Sequence, residues 1–219
     1  MTLPDLPCAE TRTDELVRLE LPPADGPLDL RALFGNEHPV ELEIGTGKGR
    51  FLLLAASARP ETNFLGLEYA RAYAEKTIER LGKRGLTNVR VARAEAAEFL
   101  ARRLGDRVLA GIHVYFPDPW PKKRHHKRRL IRPAVVADMA RVLAPGGLVR
   151  VVTDHPDYAA VIREVFGADD RFADESDRVE LWELPGMDSY VAPGVTNFEI
   201  KYRRQGRPIH RMIWRRLPW

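Results

Sequence analysis

The sequence is short of several things, and each shortage closes off a class of protein. A single cysteine, Cys8, among 219 residues permits no internal disulfide, which fits a reducing compartment and sets aside the disulfide-stapled secreted folds. No apolar run approaches the roughly 20 residues that span a bilayer. Nor does Met1 to Pro7 contain a basic segment leading into an apolar one, so the expectation is a soluble, cytoplasmic protein with no membrane partner. No set of cysteines and histidines has metal-ligand spacing, and the adjacent His125 and His126 point apart on most backbones, so no metal is expected. Internal repeats are absent, and nothing in the pattern speaks to oligomeric state.

What is present suits one domain. An apolar fraction of 44% over this length buries a sizeable core, and the balance of 35 Lys and Arg against 31 Asp and Glu is only mildly basic. The distribution says more than the sum. Residues 116–132 hold seven Lys and Arg with one acid, and residues 201–219 hold seven more with none, so the positive charge is a patch on an otherwise acidic chain. Residues 1–27, which carry five of the 17 prolines, read as an extended or poorly ordered leader to a single domain over 28–219.

From Val40 the pattern alternates. Strands are predicted at 40–44, 63–67, 88–92, 108–115 and 148–153, with helices through about 58, over 70–84, over 96–104 and from Pro133 to 143. Such alternation predicts an α/β fold with a mostly parallel sheet and helices on both faces. The last third changes character: 179–182, 198–203 and 211–214 read as strands, the final two forming an antiparallel hairpin at the sheet edge.

Two loops carry the chemistry. After the first strand comes Gly45-Thr46-Gly47-Lys48-Gly49, a G-x-G-x-G pattern followed by Arg50, where the dinucleotide fingerprint needs G-x-G-x-x-G. Glu41 and Glu43 precede it, and Glu43, at the lip of the loop, would repel a pyrophosphate. An acidic lip suits a cation instead, and S-adenosylmethionine, with an ammonium, a sulfonium and no phosphate, satisfies it better than NAD. Glu68, ending the second strand, is set to accept ribose hydroxyls, and Glu95, just past the third, to reach the adenine. The bland alternative for Gly45 and Gly47 is an ordinary tight turn.

The second loop is Phe116-Pro117-Asp118-Pro119-Trp120-Pro121, which runs into Lys122-Lys123-Arg124-His125-His126-Lys127-Arg128-Arg129. Three prolines exclude helix and central strand while constraining shape, so the loop presents Asp118 at a reaction centre beside a track for a polyanion. An aromatic nitrogen with a free lone pair needs no base before alkylation; a carboxylate can instead accept from a guanine's N1–H and exocyclic amine and favour the positive charge that alkylation creates. Trp120 either stacks on a base or braces the loop. Lys122, nearest the loop, is the best placed of the cations to touch substrate. Asp154, after the fifth strand, either caps the next helix or bonds substrate. Thr196, Asn197, Phe198 and Glu199 set four different functional groups in a row ahead of the basic tail.

Together these residues resemble the bacterial-type tRNA (guanine-N7)-methyltransferase family, within the class I S-adenosylmethionine-dependent fold, from about Val40 onward and most specifically over 116–129 and 196–199. The resemblance implies a Rossmann-like seven-stranded sheet whose last pair is antiparallel. It also implies methyl transfer to N7 of a guanosine in the tRNA variable loop. By the same likeness Glu43, Glu68, Glu95 and Asp118 fall at cofactor positions, Asp118 also at that of the active-site carboxylate, and Lys122, Asp154 and Thr196 to Glu199 at substrate positions. Glu95-Ala96 departs from the Asp or Asn commonly found before that alanine. A non-catalytic RNA-binding protein of the same fold is the rival reading.

Overall fold

In the computed structural model, which describes residues 13–21, 26–182 and 196–218, the strands are β1 (Val40–Ile44), β2 (Asn63–Glu68), β3 (Val89–Arg93), β4 (Leu109–Tyr115), β5 (Leu143–Thr153), β6 (Phe172–Asp174) and β7 (His210–Arg216). They form one seven-stranded sheet in the order β3-β2-β1-β4-β5-β7-β6. The first five run parallel, and β7 is antiparallel to both β5 and β6. Helices α3 (Arg50–Ala58), α4 (Arg71–Gly82), α5 (Ala96–Arg103), α6 (Pro133–Val142) and α7 (Pro156–Gly167) are the crossovers that parallel strands require.

Both faces of the sheet are covered. Along β7, Met212 and Trp214 join one buried cluster with α5, α6 and α7, while Ile213 joins the other with α3 and α4, as the two-residue period of a strand dictates. Central β4 is buried throughout except at half-buried Ala110, which is why it reads as a near-continuous apolar run. With five parallel strands, every loop that follows a strand emerges at the same sheet edge, and ligands of open α/β sheets bind there.

The sequence reading misjudged three segments. Residues 13–17 of the presumed leader form helix α1 (Thr13–Val17), whose Val17 is fully buried, and Arg18 bridges to Val91 beside β3. Residues 1–12 and 22–25 lie outside the described residues. The segment expected as strand 179–182 is a turn of 3-10 helix, Val179–Trp182. Residues 198–203, expected as one arm of a hairpin, belong to helix α8 (Asn197–Arg204) instead. The antiparallel pair is real, but its partner is β6, well upstream in the chain. The physical reason for α8 lies in its first four residues: Thr196 is an N-cap whose hydroxyl accepts from the Glu199 amide at 3.1 Å, with Glu at the third helical position and Lys and Arg in the last turn.

Candidate active site

The glycine loop is built for close approach. Gly45, Gly47 and Gly49 have φ of 80°, 54° and 66°, a region costly for residues with a Cβ. A Cβ at Gly45 or Gly47 would meet nothing within 4 Å, so the loop's surface is open, whereas one at Gly49 would sit 2.6 Å from Thr77. Thr77 in turn donates to the Gly47 carbonyl at 3.0 Å, tying the loop to α4. Glu68 closes the other side by accepting from the Gly47 amide at 2.8 Å and the Ala70 amide at 2.9 Å.

Glu43 is the anomaly. Only 2% of it is exposed, and one carboxylate oxygen has no hydrogen-bond partner. Burial, with the Glu68 charge in support, raises its pKa well above the usual carboxylate range. A buried, unpaired acid beside an open glycine loop is a donor set that fits a cationic group and would disfavour a phosphate, so the residues present fit S-adenosylmethionine.

Glu41 does not share in that lip. It turns into the core, where Arg59 grips it with bonds of 2.9 and 2.8 Å, and His113 Nε2 approaches it at 2.9 Å. Fully buried His113 also meets the Tyr115 hydroxyl at 2.7 Å through Nδ1. An ionised Glu41 only accepts, so Nε2–H donates to it and Nδ1 accepts from Tyr115. Burial, against the pull of Glu41, lowers the His113 pKa to about 4. This buried network was invisible in the sequence, since strand spacing puts Glu41 on the same face as Glu43 without saying which neighbours reach it.

Asp118 is exposed at the carboxyl end of β4. The loop holding it contains two non-glycine residues at positive φ, Phe116 at 53° and Trp120 at 40°, each costing on the order of 1–3 kcal/mol of backbone strain. Arg129 holds that shape: it is buried, donates to the Pro119 carbonyl at 2.8 Å, and stacks over Tyr158. Trp120 lies between Arg128 at 5.1 Å and His125 at 5.6 Å, so it braces the loop. Residues Lys123–Arg128 form an exposed 3-10 turn, with exposed Lys122 immediately before it. The basic block therefore divides, with Arg129 serving the interior and the turn facing solvent.

Across from this loop stands α8. Glu199, 1% exposed, is bound by Arg203 at 2.9 Å and by Arg211 of β7, so its carboxylate anchors the helix. Phe198, 47% exposed, stacks on Tyr202 at 6.0 Å, and the Phe116 ring lies 5.4 Å from Tyr202 and 6.2 Å from Phe198. Arg207 covers Tyr202 and pairs with Asp154 at 2.8 Å. Asp154 is therefore not the cap of α7; His155 takes that position, its Nδ1 accepting from the Tyr158 amide at 3.4 Å. Burial raises the Tyr202 hydroxyl pKa, and Asp154 and Asp118 add to the effect.

The topology thus gathers Glu43, Gly45, Gly47, Glu68, Asp118 and Asp154 at one sheet edge, with Thr196 to Glu199 opposite Phe116. Glu95 sits at the same edge but caps α5, accepting from the Glu98 amide at 2.8 Å. Tyr202 and Arg207 went unnoticed in the sequence. The capping box at 196–199 would have revealed the helix that positions them. Among the described residues no group of three or more His, Cys, Asp or Glu could hold a metal, and no helix is long and apolar enough to cross a membrane.

A family model described as "Putative methyltransferase" matches residues 37–212. The tRNA (guanine-N(7)-)-methyltransferase of Alkalilimnicola ehrlichii is 41% identical over 200 residues, covering 87% of this chain and 83% of that protein. The protein of the same name from Nocardia farcinica is 36% identical over 87% of this chain and 72% of its own length. The Bordetella pertussis protein, also of that name, is 46% identical over 68% of this chain and 59% of its own length. Among solved structures, the antibiotic-resistance methyltransferase Kmr superposes with a TM-score of 0.56 at 18% identity, covering 86% of this chain and 92% of that one, a likeness of fold alone.

Proposed function

Because the chain belongs to the tRNA (guanine-N(7)-)-methyltransferase family, we propose that it transfers a methyl group from S-adenosylmethionine to N7 of a guanosine in tRNA, the variable loop being the location that the resemblance implies. The observation that carries this reading is exposed Asp118 on a strained, braced loop, between the loop that follows Glu43, one of whose oxygens has no partner, and a basic turn that no acid interrupts. Glu43, Gly45, Gly47, Glu68 and Glu95 would hold the cofactor, with Asp118 at its rim. When bound, S-adenosylmethionine supplies an electrophilic methyl group on a sulfonium.

The chain's own residues have the remaining tasks. N7 offers a free lone pair, so no general base is required. Asp118 accepts from the guanine N1–H and exocyclic amine, which orients the ring and stabilises the positive charge it gains. Phe198, half-exposed and backed by Tyr202 and Phe116, offers a flat apolar face to a base, while Glu199 acts through its grip on α8. Thr196 and Asn197 open that helix, Asp154 steadies it through Arg207, and Lys122 and the turn after it meet phosphates. Acting on tRNA, the protein would work in the cytoplasm.

Incubation with an unmodified tRNA and methyl-labelled S-adenosylmethionine, followed by mapping of the product, tests the reading. Label at N7 of a guanosine is the expected result, and label on another base or on protein overturns it. A non-catalytic RNA-binding protein would bind tRNA and show no heat of binding with the cofactor alone.

A further inference from the structure

On the other side of the glycine loop from Asp118, at the β3 edge of the sheet, three arginines come together. Arg18, Arg71 and Arg93 border a groove of about 390 Å³ whose carboxylates are Glu20 and Glu75. Glu75 is taken by Arg18 through paired bonds of 2.9 and 2.5 Å, and Glu20, 85% exposed, lies 4.0 Å from that same arginine. Arg71 and Arg93 are exposed, and among the described residues neither has a carboxylate within 4.0 Å, although the charge of Arg71 helps to lower the Glu75 pKa and Arg93 Nε donates to the Tyr69 carbonyl at 3.4 Å. Flanking them, Tyr69 is 71% exposed and Tyr73 44%. These two are half of the exposed large apolar side chains among the described residues, and a third is Phe198 at the candidate substrate helix.

Exposed guanidinium groups interleaved with exposed aromatic rings are what a looped or single-stranded RNA segment needs, the cations for phosphates and the rings for unstacked bases. The location suits the same substrate. Tyr69 follows β2 and Arg93 ends β3, so both emerge at the edge that carries Asp118. From β3 to β4 is three inter-strand steps, or about 14 Å, a span that a folded RNA covers in one encounter. The turn Lys123–Arg128 lies to the β4 side of the glycine loop and this patch to the β3 side, so a tRNA held by both would straddle the cofactor loop.

We propose that Tyr69, Arg71, Tyr73 and Arg93 form a second docking surface for the tRNA, gripping an unpaired segment away from the methylated nucleotide. The inference rests on the methyltransferase reading above for the identity of its partner. Its test is fluorescence anisotropy of an unmodified tRNA transcript against the full chain over a series of salt concentrations, with Lys123→Ala as the reference variant for the other flank.

Arg71→Gln with Arg93→Gln is expected to reduce the slope of log affinity against log salt by about 1.4, at about 0.7 for each phosphate contact to an unpaired strand. Tyr69→Ala with Tyr73→Ala is expected to weaken binding by about 30-fold or more with the slope unchanged, because stacking releases no counterions. Cofactor affinity, measured by calorimetry, should match the wild type in both. If the arginine pair binds tRNA with wild-type affinity and slope while Lys123→Ala lowers the slope, the surface is not an RNA site and the proposal is refuted. Loss of cofactor affinity in the tyrosine pair would reassign those rings to the cofactor site and equally overturn it. Wild-type protein that binds tRNA without methylating N7 would remove the activity while leaving this surface measurable. Protein that binds no tRNA at all removes both.

Discussion

Consider His113→Gln and the response of the fold to acid. In the wild type the imidazole is fully buried, held between Glu41 and Tyr115, with Arg59 and Arg150 near enough to oppose its protonation. Its pKa falls from 6.5 to about 4 in the fold, mainly through burial. A histidine with a depressed native pKa is held neutral, so its contribution is complete above about pH 6.5. That contribution is lost progressively as pH falls toward 4, because the unfolded chain takes up a proton that the native state refuses. At about 1.4 kcal/mol per pKa unit, the loss across that window is roughly 3 kcal/mol. For a chain of this size that corresponds to a fall in Tm of about 6–12 °C. Glutamine keeps a polar group on the Glu41 side but cannot be protonated, so the variant should lack this component. Glu41, whose pKa is lowered by bonds to His113 and Arg59 against burial, contributes its own acid sensitivity at lower pH, where both proteins should decline. Thermal melts of both proteins at steps from about pH 7 to about pH 4 measure the difference directly. Parallel curves through that interval would show that His113 is not held neutral by its surroundings, and the tautomer derived for the network would fall with it.

Three further perturbations bear on the site. Asp118→Ala should lower turnover by about 10²-fold or more while tRNA affinity changes little, since the carboxylate acts on charge that develops during transfer; single-turnover rates with labelled cofactor would expose normal chemistry if the assignment is wrong. Glu43→Gln should raise the Tm of the cofactor-free protein at neutral pH, because the amide removes the cost of protonating a buried acid or burying its charge, and at the same time weaken cofactor binding. The sign follows from its raised pKa: stability associated with the protonated acid is complete at low pH and is lost as pH rises through the folded value, so the gain in the variant should shrink in acid. Gly49→Ala combines a positive φ with a Cβ 2.6 Å from Thr77 and should cost about 2–4 kcal/mol, read by denaturant unfolding; a loss below about 0.5 kcal/mol would mean that the loop shifts freely.

Most of the sheet was legible in the sequence because parallel strands and their crossover helices leave two clean periodicities, and β4 announced itself as an apolar run ahead of a proline loop. The C-terminal region was not, for two physical reasons. Tyr202, Phe198 and the basic residues around them fit an exposed strand as well as an amphipathic helix, and only the cap geometry of Thr196 and Glu199 decides between them. The other strand of the antiparallel pair is three residues long, too short to show any period. Within the site, motif spacing located the acids but not their partners. Glu41 and Glu43 look equivalent in sequence, yet Arg59 and His113 hydrogen-bond to one, while an oxygen of the other has no partner. Likewise Arg129 belongs to the same run of cations as Lys123, and its burial against Pro119 and Tyr158 depends on contacts made by distant elements.

The place of β7 in the sheet bears on how the protein comes into being. It is the last strand in sequence among the described residues, yet it lies between β5 and β6, and among those residues β6 pairs with no other strand. Its Arg211 also secures Glu199, and so the helix facing the proline loop. A nascent chain can assemble β1 through β5 and their crossover helices as they emerge, but β6 lacks its β7 partner and α8 lacks its Arg211 anchor until β7 arrives. The substrate wall is therefore finished last, so a half-made polypeptide with an intact glycine loop and Asp118 would still lack the Phe198 and Tyr202 rings that face the proline loop.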